Sequence, residues 1–241
     1  MDGKVFDRIE KKYLITKDDK KELLKTIKKN MKKDSYHKSE VYNLYFDTDN
    51  YDLIIQSIDQ PIFKHKLRAR SYKGYDRVFL EIKTKLRGRD LNPGYKRRVM
   101  ITYDDFDELV KGKKTAVELA AKTQETPHDL QIAKEVDHLI QHHNLKPKLL
   151  VLYNRESYKG DDGLRITFDE NLKYRDKNLS LIKGKRDKIY FKDKRNTIME
   201  IKAHGVLPLW LVQILSENKL YPQQFSKIGK VYAKLRKEQN V

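Results

Sequence analysis

The stretch "FKHKLRARSY", Phe63 to Tyr72, places Lys64, Lys66, Arg68 and Arg70 at every second position. Side chains alternate across an extended strand, so this spacing puts four cations on one face and Phe63, Leu67 and Ala69 on the other. The same split recurs outward in both directions. In 77–85, Glu81, Lys83 and Lys85 oppose Val78, Leu80 and Ile82; in 95–103, Lys96 and Arg98 oppose Val99 and Ile101. Arg8, Glu10 and Lys12 oppose Ile9, Tyr13 and Ile15 near the start. Later, Arg165, Thr167 and Asp169 oppose Leu164, Ile166 and Phe168, and Glu200 and Lys202 oppose Met199 and Ile201.

Eight segments with this period of two predict strands at 5–15, 41–47, 63–73, 77–85, 95–103, 148–158, 163–170 and 197–204. Lys73-Gly74-Tyr75-Asp76 and Asn92-Pro93-Gly94 read as hairpin turns, so the middle three strands form an antiparallel meander. Helical periodicity is confined to 17–33, to two or three helices in 104–143, and to 208–218 and 225–237. Thr16 before Lys17-Asp18-Asp19 has the chemistry of an N-cap, and Pro208 suits a first turn. The polar, basic stretch 171–196 reads as loop-rich, either a solvated loop or one that gates a site. With no repeat, Gly/Ser linker or composition break, the 241 residues are read as one domain, 1–241.

Lys and Arg number 53 against 35 Asp and Glu, a formal net charge of +18, which points to an anionic partner. No run approaches the roughly 18 apolar residues of a membrane span, and "MDGKVFDRIEKKY" lacks the apolar core of a signal peptide, so a cytoplasmic location is expected. The absence of cysteine excludes disulfides, a thiolate nucleophile and cysteine zinc ligation. His138 and His142, four apart on a helix, are read as a solvated face rather than a metal site, and "GKKT" at 112–115 lacks the upstream glycine of a P-loop. Tyr42, Tyr45 and Tyr51 are read as packing residues, with base stacking the alternative.

Two arrangements of the charged faces remain. Antiparallel sheets commonly turn one face to water, and a basic exterior with interleaved aromatics would describe a nucleic-acid binder. Yet a face biased to one sign is repelled by itself without an anion, and the amphipathic helices can cover the apolar faces. Eight antiparallel strands suffice to close a barrel. The expectation is therefore an α+β fold, an eight-stranded antiparallel β-barrel tunnel with helices packed outside and a cationic interior suited to phosphates.

Taken in order, "RIEKKYLI" at 8–15, "YNLYFDT" at 42–48, "KLRARSY" at 66–72, "FLEIKTK" at 79–85, "YKRR" at 95–98, "YNRESY" at 153–158, "LRITFD" at 164–169, "IMEIK" at 198–202 and "FSKIGK" at 225–230 resemble the VTC-type polyphosphate polymerase domain. That domain belongs to the triphosphate tunnel metalloenzymes, with the CYTH-type triphosphatases and class IV adenylyl cyclases. The resemblance implies synthesis of inorganic polyphosphate from ATP with a divalent metal, manganese before magnesium. By position, Arg68 and Arg70 match the family's paired tunnel arginines, Lys83 the lysine of its E-x-K strand, Arg155 and Arg165 two later arginines, and Glu200 its metal-holding glutamate. Ser226 and Lys227 match a serine-lysine pair at the last helix, and Lys12, Lys66, Lys96, Arg98 and Lys202 fit as further phosphate ligands. CYTH triphosphatases open with E-x-E-x-K; here Arg8-Ile9-Glu10-Lys11-Lys12 replaces the first carboxylate by a cation, which favours the polymerase branch.

Phosphoryl transfer asks the protein mainly for positioning and charge neutralisation, which rows of Lys and Arg supply. A hydrolase would add a group that activates water, for which Glu10, Glu81 and Asp169 are the candidates. The expected partners are ATP and short or long polyphosphates, with no specific nucleic acid and no membrane span.

Overall fold

The computed structural model describes residues 8–59, 62–86, 94–123, 126–161, 163–181, 187–191 and 196–239, and its architecture is α+β. The strands are β1 (Arg8–Ile15), β2 (Lys32–Asp47), β3 (Phe63–Tyr72), β4 (Val78–Leu86), β5 (Gly94–Ile101), β6 (Lys146–Lys159), β7 (Arg165–Arg175), β8 (Lys188–Ile189) and β9 (Thr197–His204). The helices are α1 (Lys17–Asn30), α2 (Asp52–Asp59), α3 (Tyr103–Val110), α4 (Ala116–Thr123), α5 (Pro127–His142), α6 (Leu209–Glu217) and α7 (Lys227–Gln239). Two compact units result, one of Met1–Glu40, Tyr153–Lys173 and Ile189–Ser226, the other of Val41–Leu152, Tyr174–Lys188 and Lys227–Val241.

In the first unit the strand order is β1-β9-β7-β6-β2. Ile15, Ile166, Phe168, Met199 and Ile201 turn to one side of the sheet, where Leu23 and Ile27 of α1 and Leu211, Ile214 and Leu215 of α6 join them in a core. Each such side chain, fully buried, contributes about 1.5–3 kcal/mol. Thr16 caps α1: its Oγ1 accepts from Asp19 N at 3.0 Å while Asp19 Oδ2 accepts from Thr16 N at 2.8 Å. Lys20 then pins the helix, its Nζ lying 2.8 Å from both Glu156 and Glu170. Gly163 has φ +76°, and a Cβ there would run into the ring of His204. Gly163→Ala is therefore expected to cost about 1–3 kcal/mol, read as a lowered chemical-denaturation midpoint at unchanged slope.

In the second unit the order is β6-β2-β3-β4-β5. β3, β4 and β5 are the expected antiparallel meander, with Leu67 opposite Ile82 and Leu80 opposite Val99. Their apolar face carries Leu67, Ala69, Val78, Leu80, Ile82, Val99 and Ile101 into a core with Phe106, Leu119, Ile132 and Val136 of α3, α4 and α5. Asp137 of α5 caps α4, accepting from Ala116 N at 2.7 Å and Val117 N at 2.9 Å.

Several boundaries differ from the sequence expectation. The first helix stops at Asn30, and β2 begins at Lys32 rather than at 41. α2 carries no place in the sequence reading; buried Asp47 holds its first turn, accepting from Leu53 N and Ile54 N at 2.9 Å each. β7 runs on to Arg175, and β8 adds two residues of strand within the stretch read as loop. The turn residues Asn92 and Pro93, positions 5–7 of the first strand, and 182–186 and 192–195 of the basic stretch lie outside the described residues. Among the described residues no helix is long and apolar enough to cross a membrane.

Candidate functional site

The meander sets its polar positions in cross-strand ranks. Lys66 of β3 stands opposite Lys83 of β4, and Lys83 opposite Lys96 of β5. One rank along, Arg68 stands opposite Glu81 and Glu81 opposite Arg98; beyond it Arg70 stands opposite Phe79. Lys96 thus shares the face of Lys83, and the neighbouring Arg97 turns to the helical side, where it meets Glu135 of α5 at 2.6 Å. Six cations of the expected set, Lys66, Arg68, Arg70, Lys83, Lys96 and Arg98, therefore occupy one face of one unit.

Glu81 is the carboxylate among them and is 1% exposed. Its Oε2 accepts from Arg68 Nε at 2.8 Å and Arg68 Nη2 at 2.6 Å, and its Oε1 lies 2.8 Å from Lys96 Nζ. Burial alone would raise its pKa, but Arg68, Arg70 and Lys96 outweigh burial and hold the carboxyl far below the ordinary range. Glu81 is thus a fixed anion and not a proton acceptor at neutral pH. Lys96 shifts down as well, first through burial and further through Arg70 and Arg98, despite its bond to Glu81. The two shifts thus do not mirror one another: burial is outweighed by the cations at Glu81 but prevails over the carboxylate at Lys96.

β2 supplies two supports, Asn43, which the sequence reading did not single out, and Tyr45, which it read as a packing residue. Asn43 Oδ1 accepts from Arg70 Nε at 2.9 Å, and the Tyr45 hydroxyl lies 3.3 Å from Arg68 Nη1. Burial would raise the Tyr45 phenol, yet Arg68, Lys66 and Arg70 lower it on balance. Arg98 lies over the Phe79 ring at 4.7 Å, an arrangement that holds a guanidinium without neutralising it. The signal for Asn43 and Tyr45 was their alternation with Leu44 and Phe46, which puts them in register with Arg70 and Arg68.

The polar face of the other unit is mixed in sign. Glu10 stands opposite Lys202 and Lys12 opposite Glu200, while β7 sets Arg165 opposite Lys202 and Thr167 opposite Glu200. Lys202 Nζ lies 2.7 Å from Glu200 and 3.6 Å from Glu10, and Lys12 Nζ lies 2.9 Å from Glu10. Burial and Glu200 both push the Glu10 carboxyl up, but Lys12 and Lys202 prevail and lower it. Arg155 is clamped edge-on by buried Asp169, Nε to Oδ1 at 2.7 Å and Nη2 to Oδ2 at 2.8 Å, and Arg165 meets Asp34 at 2.9 Å. Lys12, Arg155, Arg165, Glu200 and Lys202 are thus gathered on one face, while Ser226 and Lys227 stand at the start of α7.

The carboxylates of this face decide what metal it could hold. Among the described residues no three His, Asp or Glu side chains converge on one point, which disfavours a closed site of the zinc type. Glu200 and Glu10, which share Lys202, fit instead a hard cation that takes one or two carboxylates and completes its shell with phosphate oxygens and water. Thr167 Oγ1, opposite Glu200 and buried, has no hydrogen-bond partner among the described residues, as a polar atom bordering such a ligand would.

His138 and His142 stack at 5.3 Å on the exposed side of α5, and His143 and His65 continue the string at 4.8 Å and 5.5 Å.

The Hippeastrum protein HpAC1, described as an adenylyl cyclase with a dominant triphosphatase activity, superposes with a TM-score of 0.55 at 16% identity, over 95% of this chain and 96% of that one. The PH1819 protein of Pyrococcus horikoshii OT3 aligns at 15% identity and a TM-score of 0.49, over 95% of this chain and 99% of that one. The likeness to HpAC1 is one of fold. The model of the VTC domain matches residues 7–236, nearly the whole sequence: this chain belongs to the VTC domain family.

Proposed function

We propose that the protein is a metal-dependent polyphosphate polymerase that transfers the γ-phosphoryl group of ATP to the end of an inorganic polyphosphate chain. The observation that carries this reading is the rank Lys66, Lys83, Lys96 beside Arg68, Arg70 and Arg98, with Glu81 as the carboxylate among them. Like charges directly opposite one another on a sheet repel, and a polyanion laid along them removes that penalty.

In the proposed step a terminal phosphate oxygen of the chain forms a bond to the γ-phosphorus as the bond to the β–γ bridging oxygen breaks and ADP leaves. The attacking oxygen is already anionic, so no base is required. Arginines held edge-on by Glu81 and Asp169 present their remaining donors to phosphate oxygens, and the lysines neutralise charge as compact ammonium groups. Glu200, with Glu10 beside it, would hold a divalent cation, manganese or magnesium, which when bound acts as a Lewis acid on phosphate oxygens.

Hydrolysis is the second reading, because HpAC1 is a triphosphatase and Glu10 could still orient a water. Against it, Glu81 and Asp169, two of the three carboxylates available as bases, are committed to arginines. Purified protein incubated with ATP and manganese is expected to yield long-chain polyphosphate on a gel; free phosphate alone would establish hydrolysis instead. In competition, tripolyphosphate should displace nucleotide at far lower concentration than RNA does. The reverse order would make this a nucleic-acid binder.

A further inference from the structure

The outward face of α1 carries Lys17, Lys21, Lys25 and Lys28, one turn apart and spanning about 16 Å at the helical rise of 1.5 Å per residue. With Lys20 and Leu24 they line an open groove of about 420 Å³. Other surface lysines meet acids, Lys111 with Asp107, Lys113 with Glu108 and Lys122 of α4 with Asp105. On α1, Lys25 meets Glu22, but Lys17, Lys21 and Lys28 have no ion pair among the described residues. Like charges at this spacing destabilise a helix, and cations in its first turns oppose the helix dipole. Lys20, buried against Glu156 and Glu170, fixes the rotation of the helix and so holds the ridge outward.

The chemistry of the face selects its partner. No aromatic side chain occurs between Lys17 and Asn30, so the ridge offers no platform on which bases could stack. Leu24 is the apolar side chain in the groove, too little for insertion into a lipid interface. What remains is a reader of regularly spaced negative charge with neither base nor acyl part. We infer that the α1 ridge is an external docking track for linear inorganic polyphosphate longer than the segment bound at the catalytic faces. This rests on the polymerase reading and adds to it a second binding surface specific for long chains.

The test compares the full-length wild type with the variant Lys17→Ser, Lys21→Ser, Lys25→Ser, Lys28→Ser by calorimetric titration with tripolyphosphate and with long-chain polyphosphate at two salt concentrations. The wild type is expected to bind both, and the variant to lose at least about tenfold in long-chain affinity, with the slope of log K against log salt reduced by about 3. Tripolyphosphate affinity should not change, and the melting temperature should not fall. Equal long-chain binding by variant and wild type overturns the track, as does parallel loss of tripolyphosphate binding and of melting temperature, which would make the lysines structural. Tighter binding of single-stranded RNA or of anionic vesicles than of polyphosphate, abolished in the variant, overturns the occupant. Failure of the wild type to bind either phosphate would instead bring down the polymerase reading itself.

Discussion

Replacing Glu81 by alanine is expected to lower stability by about 3–5 kcal/mol, the cost of removing one partner from a buried ion cluster. The carboxylate is bonded to Arg68 and Lys96, with Arg70 Nε 3.9 Å away, so its loss leaves three crowded cations without their counter-ion. For a chain of this size the melting temperature should fall by roughly 10 °C. Added tripolyphosphate should restore much of that loss in the variant, because an anion that binds only the folded state takes over the neutralisation. A variant that melts with the wild type would show that Glu81 does not hold the cluster. The pH dependence has a definite sign. Folding depresses the Glu81 pKa below its ordinary value of 4.5, so its contribution is complete above that pH and is lost as the pH falls toward the depressed folded value. The alanine variant should therefore lose less stability on acidification than the wild type does.

Glu200→Gln is expected to reduce turnover by at least about 100-fold while nucleotide binding largely persists. An amide of nearly the same shape keeps the packing of this 8% exposed side chain but holds a divalent cation poorly. Lys202, which Glu200 now holds at 2.7 Å, would remain available to phosphate, so affinity for ATP should change far less than rate. A gel assay for product beside a calorimetric titration separates the two quantities. Unchanged turnover would remove Glu200 from the site.

The strands were legible wherever one face is apolar. β9 runs from Thr197 to His204 as its alternation predicts, because Met199 and Ile201 are buried opposite Glu200 and Lys202. The first half of β2 was not legible: "KKDSYHKSE" has no apolar face, and its residues are exposed or half-buried in the strand. α2 escaped notice because Asp47 lies well ahead of its first turn and supports it through tertiary reach. The site divided in the same way. Alternation placed the cations on one face, but the role of Glu81 depends on Lys96 of the neighbouring strand and could not be read from either strand alone. The grip of Asp169 on Arg155 likewise joins two strands and turned a candidate base into a clamp.

The clamps on Arg68 and Arg155 bear on how a long substrate would move. Because a carboxylate of the chain itself sets each guanidinium, a polymer passing either one need not recruit and then release a floppy side chain there. Friction against translocation would then be almost wholly coulombic, and elongation should speed up with moderate ionic strength before weakened capture slows it again.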